Sequence, residues 1–73
     1  MSVSEFKELC LRHWTDAIEV IGPSHLRQLV TENGVFGFVL KSAEASRFDV
    51  STLSSMELTD IMTALQLKLS EYA

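Results

Sequence analysis

Cys10 and His13 are the residues of this chain whose types and spacing come closest to a chemical site. They lie one helical turn apart, a spacing that lets a thiolate and an imidazole bind one metal ion or act as nucleophile and base. A zinc site needs a third and usually a fourth protein ligand. Cys10 is the only cysteine, and His25 is the only other histidine. We therefore expect neither a metal site nor a Cys–His nucleophile, and we interpret both side chains as part of a helical core.

No other sequence pattern predicts catalysis or a bound cofactor. Gly34 and Gly37 fit neither the phosphate-binding loop nor the dinucleotide-binding pattern. Serine, histidine and aspartate are present, but at no spacing that marks a catalytic triad. The carboxylates of Glu57 and Asp60 are explained by a position near the start of a helix, where negative charge is favourable. We expect a protein that is not an enzyme and that carries no cofactor.

Composition and charge bear on the number of domains, the kind of partner and the location of the protein. The 73 residues predict a single domain over 1–73, and 47% of them are hydrophobic, more than a small monomer buries easily. The acidic net charge of −4 argues against nucleic acid or an anionic membrane as the partner. One cysteine, no leader pattern and no apolar run of about 20 residues together predict a cytoplasmic protein without a membrane partner.

The element expected to organise the fold is a helix over residues 3–21. Its apolar side chains cover an arc of roughly 200°, whereas an ordinary surface helix has an apolar stripe little wider than 100°. Ser2 and Glu5 have the spacing of a capping box at its start. Gly22 and Pro23 are expected to end it. So wide an arc predicts that this helix is the hub and packs against at least two other elements.

Three further helices are predicted, over 24–33, 35–47 and 54–71. Ser24 is the expected N-cap of the second helix, and Gly34 is expected to separate the second helix from the third. The last helix carries a narrow apolar stripe at helical spacing, formed by Leu58, Ile61, Met62, Leu65, Leu69 and Tyr72. The chain is therefore predicted to be a small all-α domain of four helices.

An alternative fold remains open at about residues 35–50. These residues could form a β-hairpin, which would make the domain α+β. The segment Ser42–Ala45 favours a helix, because alanine and glutamate are better helix formers than strand formers and because it lacks good turn residues. The helical interpretation places Phe36, Val39, Leu40 and Ala43 on one face toward the core.

Surplus apolar residues point to a function in protein interaction. On a helical third segment Phe38 lies about 160° from Phe36, off the expected core face. Met56 and Leu67 lie opposite the apolar stripe of the last helix. We expect these three side chains to form a protein interface. The favoured function is a non-enzymatic protein–protein interaction module, a small adaptor or regulatory protein that forms a homodimer.

The alternative function is a helix-turn-helix DNA-binding regulator built from residues 26–48. Two short helices joined by a glycine-containing turn have roughly the required spacing. Arg27, Lys41 and Arg47 would then contact phosphates. The N-terminal half of the would-be recognition helix is apolar, where base-contacting side chains are needed. We therefore favour a protein partner, or a second copy of the chain, over nucleic acid.

Overall fold

The computed structural model describes residues 1–72, apart from the side chain of Asn33. These residues form α1 (Val3–Ile21), α2 (Pro23–Ser46), a 3-10 turn (Val50–Thr52) and α3 (Ser55–Ser70). Helix α2 contains two helical segments, residues 23–33 and 35–46, which meet at Gly34. The predicted all-α domain is confirmed, and a hairpin at 35–50 is wrong because residues 35–46 are helical. None of the described helices combines the length and apolarity that crossing a membrane requires.

Helix α1 begins at the predicted capping box. The Glu5 amide donates to the Ser2 hydroxyl oxygen over 3.1 Å, and the Ser2 amide donates to the Glu5 carboxylate over 2.9 Å. These bonds to Ser2 hold the pKa of Glu5 below its ordinary value of 4.5, because they favour the charged carboxylate. The helix ends at Gly22, whose amide donates to the Ile18 carbonyl.

Pro23 begins α2 instead of closing α1, and the prediction of Ser24 as its N-cap is wrong. Gly22 caps both helices, with φ +88°, and its carbonyl accepts from the Leu26 amide. Proline suits the first position of a helix because its fixed φ matches the helix and its missing N–H has no partner to lose there. The glycine supplies the left-handed turn that separates α1 from α2.

The break within α2 is confirmed at the predicted residue. Gly34 has φ +79° and ψ 154°, a conformation that a residue with a β-carbon rarely adopts. The segment that follows ends at Arg47, which takes the left-handed conformation and whose amide donates to the Ala43 and Glu44 carbonyls. Its orientation relative to the first segment is thus set at one glycine.

Helix α3 begins with a capping box of the same kind as that of α1. The Ser54 hydroxyl accepts from the Glu57 amide over 3.1 Å, and the Ser54 amide donates to the Glu57 carboxylate over 2.8 Å. The 3-10 turn before it is capped by Asp49, whose carboxylate accepts from the amide and hydroxyl of Ser51. These two bonds lower the pKa of Asp49. The start of the last helix agrees with its predicted position near residue 54.

Helix α1 contacts both α2 and α3, as predicted for the hub. Its fully buried face is narrower than the predicted arc and consists of Phe6, Cys10, Trp14 and Ile18, each one turn apart. Phe6 stacks on Phe48 with ring centroids 4.2 Å apart. The other core residues are Leu26, Val35, Val39, Ala43, Ile61, Leu65 and Leu69. The last three confirm the predicted stripe of α3.

The second segment of α2 is rotated relative to the prediction. Phe36 and Leu40, expected toward the core, are each 42% exposed. Phe38, expected to point away, is partly buried and packs edge-on against Trp14 with ring centroids 4.7 Å apart. Val39 and Ala43 are buried, as predicted. The segment therefore turns its Phe38 side, not its Phe36 side, toward α1.

Candidate interaction site

An apolar groove runs between the C-terminal half of α1 and the two segments of α2. Two adjoining depressions share Ala17, Ile21, Phe38 and Lys41, so they form one continuous surface. We call this surface the α1–α2 groove. Its apolar lining is Trp14, Ala17, Val20 and Ile21 from α1, and Leu26, Leu29, Val30 and Phe38 from α2, with Gly34 and Gly37. Its polar lining is His13, Asp16, Lys41 and Ser42.

The groove presents apolar side chains to solvent above a rigid floor. Val20 is 81% exposed, and Ile21 and Leu29 are exposed as well. Beneath them Trp14 is fully buried and supports the ring of Phe38. Covering such side chains with another apolar surface stabilises a complex by about 25 cal/mol for each Å² removed from water. The groove can therefore bind apolar protein side chains.

Opposite charges line the two walls of the groove. Asp16 stands on the α1 wall and Lys41 on the α2 wall, and both are exposed. The ion pairs found among the described residues join Lys7 to Asp60 at 2.8 Å and Lys68 to Glu71 at 3.6 Å. Asp16 and Lys41 take part in neither pair, so both charges remain available to a partner.

His13 and Ser42 line one end of the groove, and the buried Cys10 lies one turn before His13 on α1. His13 Nδ1 is 3.3 Å from the Ser42 hydroxyl oxygen. Burial raises the pKa of the Cys10 thiol, and the hydrogen bond with Ser42 only partly offsets this effect. Because the thiolate is the nucleophilic and metal-binding form, this thiol is not activated for either role. The described residues contain no group of three or more His, Cys, Asp or Glu side chains placed to hold a metal ion.

The sequence-predicted interface residues do not share one surface. Met56 and Leu67 lie on the outer face of α3, as predicted, and are 84% and 62% exposed. Eleven residues separate them, which is about 16 Å along a helix. Phe38 instead lies in the α1–α2 groove. The depression at Met56 is otherwise lined by polar side chains, namely Ser55, Thr59, Asp60 and Thr63.

The three predicted phosphate-binding residues are likewise dispersed. The Arg27 guanidinium donates to the carbonyls of Leu69, at 3.2 Å, and of Tyr72, so it binds the end of α3. Lys41 lies in the α1–α2 groove, and Arg47 caps the far end of α2. Arg27 therefore faces α3 while Lys41 faces α1. The structure does not assemble them into one basic surface.

Removing the guanidinium of Arg27 is expected to loosen the end of α3. An Arg27→Ala variant leaves the carbonyls of Leu69 and Tyr72 without their charged donor, and we expect a loss of about 1–2 kcal/mol in the free energy of unfolding. Urea denaturation measures this loss, and amide exchange locates it in the last turn of α3. The matched control is Lys7→Ala, which breaks an exposed ion pair and is expected to cost under about 1 kcal/mol. Equal losses in the two variants would contradict the capping role.

Two residues that bear on the site were not singled out from the sequence. Helical spacing puts Asp16 on the polar side of α1, and only the packing of α2 brings it to the edge of a groove. Ser42 is 3% exposed and lies three residues after the buried Val39. That spacing marks a core position on a helix, so it was the available signal for a buried hydroxyl.

The chain was compared with protein-family models, with curated protein sequences and with solved structures, and none of the three comparisons found a match.

Proposed function

We propose that this chain is a non-enzymatic protein-interaction module of the adaptor or regulatory kind, and that the α1–α2 groove is its binding surface. The observation that supports the proposal is the row of exposed apolar side chains on the groove, Val20, Ile21 and Leu29, above a packed aromatic floor. Clustered exposed apolar side chains beside a concave surface are a common feature of protein-binding sites. These three side chains lie outside the hydrophobic core.

The groove is a better binding surface than the outer face of α3. Met56 and Leu67 stand about 16 Å apart on a convex helix, and the neighbours of Met56 are polar. Partners anchor best on clustered apolar side chains around a concave site. The groove offers that arrangement, with Phe38 on its α2 wall packed edge-on against the buried Trp14.

A DNA-binding function receives no comparable support. Arg27 is engaged with the end of α3, and Lys41 and Arg47 lie at separate places on α2. Val35, at the start of the segment that would contact bases, is 4% exposed. We therefore retain a protein partner. We also propose a cytoplasmic location, since the free thiol of Cys10 suits a reducing compartment.

Site-specific photo-crosslinking in the native cells tests the proposed surface. A benzophenone side chain is placed at Val20 in the groove, at Glu8, which lies outside the groove lining and about 18 Å from Val20 along α1, or at Met56 on α3. All three positions are exposed, so the substitutions leave the core intact. We expect a discrete protein adduct from position 20 and none from position 8.

Three outcomes would contradict the proposal. The absence of an adduct at position 20 would remove the groove as a binding surface. The same adducts from positions 8 and 20 would indicate random collision. A discrete adduct from position 56 alone would move the surface to the outer face of α3.

A further inference from the structure

We infer that the occupant of the α1–α2 groove is a second copy of this chain, related to the first by a two-fold axis that runs along the groove. The inference rests on the proposed function and names the partner of that same surface. It predicts reciprocal contacts between Asp16 of each copy and Lys41 of the other.

Charge complementarity identifies the partner. Each groove carries one acidic side chain, Asp16, on its α1 wall and one basic side chain, Lys41, on its α2 wall. Both are exposed, and the ion pairs among the described residues involve other side chains. A surface with one charge of each sign on opposite walls is complementary to a copy of itself. A two-fold interface requires such self-complementarity, because the same patch is used on both subunits.

The charges also select the direction of the axis. An axis along the groove lays the α1 wall of one copy on the α2 wall of the other, so that Asp16 meets Lys41 twice. An axis across the groove would lay α1 on α1 instead. Asp16 would then approach Asp16 of the second copy, and like charges facing each other are unfavourable. The first arrangement is the one that the side chains favour.

The same arrangement covers the exposed apolar side chains. Val20 and Ile21 on the α1 wall of one copy would face Phe38 and Leu29 on the α2 wall of the other. The apolar contacts occupy the middle of the interface, and the two Asp16–Lys41 pairs lie beside them. Apolar burial then supplies the affinity, while the charged pairs determine the register.

A charge-exchange experiment tests this geometry by sedimentation equilibrium. The variants are Asp16→Lys, Lys41→Glu, and the protein carrying both substitutions. Each single variant places like charges at both contacts of a homodimer, and we expect each to weaken dimerisation about tenfold or more. The double variant restores both opposite-charge pairs and is expected to dimerise within about threefold of the original chain.

Mixing the two single variants provides the sharpest comparison. In a heterodimer of Asp16→Lys with Lys41→Glu, both contacts again join opposite charges. We expect this mixture to dimerise like the original chain, although each variant alone does so poorly. Glu8→Lys is the matched control, because Glu8 is an exposed acidic residue outside the groove lining and about 12 Å from Asp16 along α1, so its substitution should leave dimerisation unchanged. Circular dichroism confirms that all variants retain their helices.

The outcomes separate this inference from the proposed function. If the original chain stays monomeric at millimolar concentration, the inferred homodimer is overturned. The proposed function still stands in that case if photo-crosslinking at position 20 yields an adduct with another protein. A double variant or a mixture as weak as the single variants would overturn the two-fold arrangement. Loss of dimerisation in Glu8→Lys alone would place the interface near the start of α1, outside the groove.

Discussion

Replacing Trp14 with alanine is expected to unfold the chain at 25 °C. Trp14 is fully buried at the point where α1 packs on α2, and its removal leaves a cavity beneath Phe38. Substitutions of this kind cost about 3–5 kcal/mol. The core of a domain shorter than about 70–80 residues rarely supplies more than about 3–5 kcal/mol in total. Far-UV circular dichroism at low protein concentration should show most of the helical signal lost.

Two controls separate loss of volume from other effects of the Trp14 substitution. Trp14→Phe keeps most of the ring volume and removes an indole N–H that has no hydrogen-bond partner among the described residues. Burying such a donor costs about 1–3 kcal/mol, so we expect this variant to lose less than about 2 kcal/mol. Leu67→Ala, on the exposed face of α3, should change stability by less than about 0.5 kcal/mol. Native helicity and cooperative unfolding of Trp14→Ala would contradict the central position of this side chain.

Replacing Phe38 with aspartate is expected to weaken the fold as well as association. The ring is partly buried against Trp14, so the substitution removes an aromatic contact and places a carboxylate beside an apolar floor. We expect a loss of about 2–4 kcal/mol in the free energy of unfolding. If Phe38 lay off the core face, as helical periodicity predicts, the variant would keep its helicity and stability. Urea denaturation, which measures the free energy of unfolding, distinguishes a destabilised variant from one of unchanged stability.

Val20→Lys is the matched variant that isolates association from stability. Val20 is 81% exposed in the last turn of α1, where a positive charge is favourable. We expect its stability to stay within about 0.5 kcal/mol of the original and its dimerisation to weaken. If Phe38→Asp were as stable as Val20→Lys, the packing of Phe38 on Trp14 would contribute little.

Local signals in the sequence were sufficient to predict the helices. The capping boxes at Ser2 and Ser54 and the left-handed glycine at position 34 each depend on residues within one turn of one another. The apolar stripe of α3 is narrow, so only one face of that helix could be buried. For this reason the bounds of α1 and α3 and the break in α2 agree closely with the structure.

The orientation of the second segment of α2 could not be predicted in the same way. Apolar side chains at positions 35, 36, 38, 39 and 40 cover more than half of the helix circumference. Periodicity therefore allows either the Phe36 side or the Phe38 side to face the core. Contacts with Trp14, 24 positions earlier in the chain, determine that the Phe38 side faces the core. Pro23 was misplaced for a different reason, since proline follows one helix and begins the next with equal ease.

Only part of the candidate site could be predicted from the sequence. The exposure of Met56 and Leu67 follows from a single helix and was predicted correctly. The α1–α2 groove is formed by two helices whose relative placement is set by Gly22 and Gly34. Asp16 and Lys41 meet at one surface only after that placement, so helical periodicity alone could not pair them.

The most direct test of the groove as the contact between copies is an isotope-filtered NOE experiment on a mixture of labelled and unlabelled chains. The filter reports only contacts between different molecules. We expect cross-peaks between the Val20 methyl groups of one copy and the ring protons of Phe38 of the other. Intermolecular cross-peaks that involve Met56 and Leu67, with none from Val20, would show that the copies meet through α3 and would contradict the account.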